Sequence, residues 1–438
     1  MKTSHYIGIA LAAVSTFLLL AFTFSNEEKQ KHKSTYRTIP KGCVYRTLMG
    51  EESSLKSSVY LTPEKALRAI DGGLAWVVKA QNQNGGWGAG SHHRQDVMDP
   101  LQVLADPATT SMVAMAMLRS GHSLTKGEYA QKLRKALNYL LTSVETSSVQ
   151  SPTITDQTGT QIQVKLGSNI DVILTSQFLS NLMDGYLDHD PSLKERVRSA
   201  NNRCIGKIQR AMDDNGSIQG SGWAGVLQSS FATNALEAAQ AQGARVDDKV
   251  LQKARAFQQN NYDAKSGNVN TDLGAGVMLY SVTGSARASA KEARKVEEEI
   301  AEAKRDGRLS STAAPSVANL EKIGYSKEEA LKYGTAYEIY QSAKVKSQQD
   351  EVMDGFGSNG GEEFLSYLQT GESMIIGKDN AWKKWYDNIS GRLVKIQNDD
   401  GSWNGHHCIT SPVFCTATCL LILSVNNDVD RLTIQGGK

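Results

Sequence analysis

The chain has 438 residues and a net charge of +2, with 21% charged and 7% aromatic residues. That balance excludes a basic nucleic-acid-binding protein, because no excess of Lys and Arg is there to neutralise phosphates. The length exceeds what one small core needs, and 38 glycines against 8 prolines favour helices punctuated by glycine turns.

Lys2 precedes an apolar run from Ile7 to Phe24, and the chain turns polar at Ser25. Residues 1–25 are therefore expected to direct export. Two forms stay open: a cleaved signal peptide, with Thr23 and Ser25 as small residues before the cut, or an uncleaved membrane anchor. Residues 26–61 read as a polar tether. The bulk of the chain is then periplasmic or otherwise extracytoplasmic. Five cysteines, Cys43, Cys204, Cys408, Cys415 and Cys419, leave at least one without an intramolecular partner. Cys415 and Cys419 are four apart on a predicted helix. They share a face without disulfide geometry and read as small buried apolar residues.

From residue 62 onward, helical patterns come in pairs. The first member is amphipathic, and the second is rich in small and apolar residues. The first pair is EKALRAIDGGLAWVVKAQ with DPATTSMVAMAMLRSG. The second is EYAQKLRKALNYLLTSV with DVILTSQFLSNLMDGYL, and the third is SLKERVRSANNRCIGKIQRAM with WAGVLQSSFATNALEAAQAQG. The fourth is KVLQKARAFQQ with TDLGAGVMLYSVTG. The fifth is SKEEALKYGTAYEIYQSAKVKS with GGEEFLSYLQTG, and the sixth is AWKKWYDNISGRLVKIQ with SPVFCTATCLLILSV. Asp106, Asp190 and Ser411 each precede a proline, as helix caps do, and Asp171 is expected to cap likewise. Gly121 and Gly243 are expected just past helix ends. A helix apolar all round must be walled in, and an amphipathic one can do the walling. Six such pairs predict an all-α fold in which the hairpins close into an α/α toroid over residues 62–425. A charged helical insertion over about 285–349 is expected as a solvated arm, and residues 426–438 as a tail.

Two turns recur almost verbatim: AQNQNGGWG, with Gln81 and Trp87, and IQNDDGSWN, with Gln397 and Trp403. They resemble the Gln-Trp repeat turns of squalene and oxidosqualene cyclases and of protein prenyltransferase β subunits. IQRAMDDNGSI, with Ile218 in the tryptophan position, and FQQNNYDAKSGNV, with Val269 there, look like degenerate copies. The resemblance implies the α/α toroid, with these turns joining outer to inner helices. Glycine reverses the chain, glutamine bonds open backbone groups, and tryptophan stacks over the amide and seals neighbouring repeats.

The chemistry that the resemblance implies is not matched in full. Cyclases use an Asp-x-Asp-Asp motif and an aromatic cage. Here Asp188–Asp190 reads as a helix start, Asp399 and Asp400 belong to a turn, and the inner helices are poor in aromatics. The prenyltransferase Asp-x-Cys zinc pair is also missing. The candidate metal ligands are His92 and His93 after the first tryptophan turn and His406, His407 and Cys408 after the last, for zinc or another transition metal. Glu362 and Glu363 open an inner helix. Their bland role is to complement its dipole, and their functional role is catalytic, together with His407 and Cys408. The expected function is a non-cyclase that binds a small-molecule or protein ligand at the toroid mouth. The alternative is an enzyme acting there on an isoprenoid, lipid or other small substrate.

Overall fold

The computed structural model describes residues 61–355, 357 and 360–435, all within the compact unit Gly42–Lys438. The export segment, the tether up to residue 60, and Cys43 lie outside the described residues. Within them the chain is all-α: helices joined by turns, isolated bridges and no strand. The helices are α1 Glu64–Lys79, α2 Pro107–Arg119, α3 Ala130–Thr146, the short α4 Gln161–Lys165, α5 Ile170–Leu182, α6 Pro191–Arg210, α7 Gly225–Ala241 and α8 Asp248–Gln259. They continue with α9 Met278–Arg305, the short α10 Val317–Lys322, α11 Lys327–Lys346, the short α12 Asp350–Met353, α13 Gly361–Ile376, α14 Trp382–Lys395, α15 Pro412–Leu423 and α16 Val429–Gln435.

Two kinds of helix alternate. In α1 the buried residues are Ala66, Ala69, Ile70, Gly73, Leu74 and Val77, one stripe at helical spacing. In α2, α5, α13 and α15 every residue is buried. The buried helices touch in sequence: α2 with α5, α5 with α7, α7 with α9, α9 with α13, α13 with α15, and α15 with α2 again. Each amphipathic helix lies on the buried helix preceding it in that order: α3 on α2, α6 on α5, α8 on α7, α11 on α9, α14 on α13, and α1 on α15. Between the buried helices the contacts are polar as well as apolar. Ser230 of α7 donates to Gln369 of α13 at 2.8 Å, and Ser111 of α2 and Thr175 of α5 lie 3.1 Å apart.

The two tryptophan turns have the same hydrogen bonds. Gln81 Nε2 donates to Gly85 O at 2.7 Å and to Lys132 O of α3 at 2.9 Å. Gln397 Nε2 donates to Gly401 O at 2.8 Å and to Ala69 O of α1 at 2.9 Å. The indoles donate back into their own repeats, Trp87 to Val77 O at 2.7 Å and Trp403 to Leu393 O at 2.9 Å. The backbone N–H groups of Trp87 and Trp403 meet Thr110 and Thr416 on the following helix, 2.9 Å in each case. So the glutamine forms the polar link between repeats, rather than serving only as a cap. The tryptophan ties the turn to both helices of its own pair, and the Trp403 ring also lies against Gly73 of α1. The degenerate copies keep the backbone turn, with Asp213 N bonding Ser217 O and Asp263 N bonding Asn268 O. Ile218 N still meets a helix hydroxyl, that of Ser229.

Asp106, Asp190 and Ser411 cap α2, α6 and α15 as expected, and Gly121 and Gly243 have positive φ. Asp171 differs. It sits inside the first turn of α5 and accepts from Ala108 N of α2 at 3.1 Å and from Gln163 at 2.8 Å. It satisfies a neighbouring helix's open N–H instead of its own, because the helix starts are packed together.

The expected solvated arm is also different. Ser285–Ala290 is buried mid-helix in α9, and Arg287, Glu292 and Arg294 are nearly buried. Small residues at helical spacing run on between the charges, so one face stays packed. The charges are paired: Glu237 accepts from both Arg255 and Arg287, at 2.7 and 2.8 Å. Further out, Val296, Ile300, Ala303, Leu309, Leu320 and Ala330 form a small core of their own. Nor is the end of the chain a loose tail. α16 packs on α13 and α7. Asp428 binds Arg119 of α2 at 2.5 Å and also pairs with Arg431. Arg119 reaches Glu372 of α13 at 2.6 Å, and Arg431 donates to Asn181 of α5 at 2.7 Å.

Two predictions follow from this packing. Gly401 has φ +93°, and a Cβ there would lie 2.7 Å from the Gly72 carbonyl oxygen. Gly401→Ala is expected to cost more than about 1 kcal/mol by urea unfolding. Gly391→Ala, in open space within α14, is expected to stabilise by about 0.5–1 kcal/mol. The second prediction concerns Asp106 and Asp171, both fully buried. Burial pushes both upward, to about 6 and about 7, with the Asp106 charge adding to the rise at Asp171. A raised folded-state pKa contributes stability below the ordinary carboxylate range, and that contribution is lost as pH rises through about 6 to 7. Asp171→Asn should flatten the fall in melting temperature between about pH 4 and 7, from the ordinary carboxylate value to the raised ones. An unchanged slope would show that the pair does not titrate there.

Candidate functional site

The starts of the buried helices lie together. Ala108 of α2 meets Asp171 of α5, Tyr280 of α9 meets Glu363 of α13, and Gly361 of α13 donates to Ile409 O just before α15. The loops after the two tryptophan turns come together at this end. Thr410 Oγ1 donates to Gln95 O at 2.8 Å, and Thr410 N donates to Gln161 Oε1 at 2.8 Å.

Cys408 lies where these segments join. Its φ is +60°, a left-handed conformation that a side chain rarely adopts. The loop closes tightly around it: a Cβ on Gly405 would lie 2.0 Å from Ile409 O. The Glu362 carboxylate, 2% exposed, accepts from Ile409 N at 3.3 Å and lies beside the Cys408 thiol. Glu362, His407 and Cys408 present one ligand atom each, and these atoms lie within 4.8 Å of one another. Beside them, Glu363 accepts from Gly360 N and from the Tyr280 hydroxyl, both at 2.8 Å.

Electrostatics set the protonation of the group. Burial and then the Glu363 charge push Glu362 up to about 7. Burial and then Glu362 push the Cys408 thiol up to about 12. Burial, with the neighbouring Lys165 charge, lowers His92. Burial and the two glutamates drive the Tyr280 hydroxyl far upward, so it stays a donor. Without a further cation, Cys408 is therefore a thiol and not a free thiolate.

Of the residues singled out in the sequence, Glu362, His407 and Cys408 converge, and Glu363 stands beside them. Among the described residues, the cluster does not include His92, His93 or His406. His93 and His406 are exposed. Neighbouring histidines diverge, with ring planes 60° apart for His92 and His93 and 86° for His406 and His407, so each pair offers the site at most one ring. Gln81, Trp87, Gln397 and Trp403 hold the turns and lie outside the cluster. Sequence reasoning missed Lys165, Tyr280 and Gln161. Tyr280 left one usable signal, a lone aromatic at the start of an otherwise small-residue helix.

No family model, no curated protein and no solved structure matches this chain.

The thiol's protonation gives a direct prediction. Glu362→Gln removes the charge that holds the Cys408 proton, so alkylation of Cys408 by iodoacetamide at pH 8 should accelerate by about tenfold per pKa unit recovered. Peptide mapping isolates Cys408 from the other cysteines. A slower rate in the variant would contradict the assigned Glu362–Cys408 contact.

Proposed function

We propose that this chain is an exported α/α-toroid protein whose mouth carries a metal centre and binds a small ligand there. The closed sequence of contacts among the buried helices, each backed by an amphipathic helix, supports the toroid. The Ile7–Phe24 run supports export. The mouth is the end where the inner helices start.

The observation that carries the metal reading is the convergence of Glu362, His407 and Cys408. One oxygen, one imidazole nitrogen and one sulfur form a zinc-type donor set. Three protein ligands leave a fourth position open, as catalytic zinc sites do and closed structural sites do not. The donors fit a cation for a second reason. Burial and the Glu363 charge hold a proton on Glu362, the Glu362 charge helps hold one on Cys408, and a divalent cation would relieve both at once. Zinc bound there would supply Lewis acidity at the open position. The chain's own residues do the rest. Tyr280 and Gly360 fix Glu363, the Ile409 N–H orients Glu362, and the strained Cys408 backbone sets the sulfur's direction.

That open position favours an enzyme acting on a small substrate over a purely passive binder. A terpene cyclase is disfavoured by the hydrogen bonds that join Ser230 to Gln369 and Arg119 to Glu372 between non-neighbouring inner helices. They occupy with polar groups the place where a carbocation would need a dry aromatic cage.

Elemental analysis of the purified full chain should find one zinc per chain, and cobalt exchange should give a thiolate-to-cobalt charge-transfer band. Cys408→Ser should abolish the band, and His407→Ala should weaken metal affinity by at least about tenfold. Wild-type protein that takes up neither ion, or a band that survives Cys408→Ser, would sink the metal reading.

A further inference from the structure

The site contains a cation that the metal reading does not use. Lys165, at the end of the short α4, is only 5% exposed. Its ammonium lies 4.1 Å from the centre of the Trp223 ring and is close enough to the Cys408 sulfur to act on its charge. No carboxylate pairs with it among the described residues, whereas buried Arg119, Arg287 and Arg431 each have one, and buried Lys207 donates instead to three backbone carbonyls, those of Ser148, Ser151 and Thr153. A buried ammonium without an opposite charge is costly unless something compensates it. A thiol and a ring face compensate in part.

The surroundings hold this arrangement in place. Trp223 N donates to Val164 O at 3.3 Å and Ala224 N to Lys165 O at 2.6 Å, so the segment carrying the ring is strapped to the lysine's own helix. Yet Trp223 is 64% exposed, the most exposed aromatic among the large hydrophobics of the described residues. The residues therefore run in a line from solvent to the cluster: an exposed indole, a buried ammonium, the Cys408 sulfur and Glu362. An exposed ring held rigidly over a polar site is a surface for a ligand's apolar part.

We propose that Lys165 and Trp223 form the recognition subsite of the mouth, with Lys165 taking a carboxylate group of the ligand and Trp223 stacking on its apolar body. This rests on the reading of the mouth as a ligand site, but not on the metal. The charge count selects a carboxylate over a phosphate. Among the described residues Lys165 is the one cation that lies over the Trp223 ring, and it contributes a single positive charge. One ammonium matches a monoanion. In the metal-free chain, a phosphate dianion beside Glu362 and Glu363 would lack a second cation.

The test is calorimetric titration of the purified full chain with phenylacetate, phenylacetamide and phenyl phosphate, with and without prior metal chelation. Phenylacetate should bind, with the neutral amide at least about tenfold weaker and phenyl phosphate no tighter than phenylacetate. Lys165→Met should weaken phenylacetate by at least about tenfold, and Lys165→Arg should restore most of it. Trp223→Ala should weaken phenylacetate but leave acetate unchanged. A melting curve for each variant separates lost binding from lost fold. Should Lys165→Met unfold, the amide comparison on wild-type protein decides alone. Equal binding of acid and amide, unchanged affinity in a folded Lys165→Met, or no phenylacetate binding up to its solubility limit would each overturn the proposal. Binding that persists after chelation, in a chain that takes up no zinc, would leave this subsite standing while the metal reading fails. Phenylacetate affinity that vanishes on chelation but ignores Lys165→Met would do the reverse.

Discussion

A helix with no face open to water is stable only where other helices cover it on every side. That constraint governs this chain. The helices α2, α5, α13 and α15 are buried along their whole length, and α7 and the first half of α9 nearly so. Each needs two neighbours of its own kind and an amphipathic helix behind it. Burying so many helices also buries their open N–H groups, which must be satisfied locally. Asp106 and Asp171 do this for α2, the second across a helix boundary. The cost is a pair of carboxylates held above their ordinary range.

The tryptophan turns are where this constraint meets the backbone. Gln81 and Gln397 each reach the amphipathic helix of the next pair, while Trp87 and Trp403 bond back to their own. One polar and one aromatic side chain thus set both the spacing within a repeat and the spacing between repeats. The two turns belong to the first and last pairs, which are adjacent: Gln397 donates to Ala69 of α1. The loops leaving them must then come together, as Thr410 and Gln95 do. Cys408 lies in the second of these loops, beside Ile409, which packs closely on Gly405 and on Gly361 at the start of α13. The functional candidates are therefore products of the joint, although the joint residues are not among them.

Much of the fold was legible. The pairing of an amphipathic with an apolar pattern located the amphipathic and the buried helices, because a stripe and an all-round apolar surface are local properties of sequence. The turn glycines and proline-led caps were legible for the same reason. Burial among charges was not. The α9 segment reads as a charged arm, yet Arg287 lies inside because Glu237, some fifty residues earlier, faces it. The C-terminal stretch reads as a tail, yet Asp428 and Arg431 complete a network with Arg119, Glu372 and Asn181.

For the site, the sequence by itself determined the candidates Glu362, Glu363, His407 and Cys408, since unusual residues beside a helix start or a repeat turn stand out locally. It could not choose among the five proposed His and Cys ligands. Adjacent histidines look equivalent in sequence, but the backbone sends their rings in different directions. Nor could it find Lys165, which is an ordinary lysine in its own segment. Only the packing of α4 between the Trp223 and Cys408 loops removes that lysine from water without giving it a carboxylate. Local pattern determined which segments are helices and where they turn. Tertiary structure decided which charges lose their water, because desolvation depends on residues far apart in the chain.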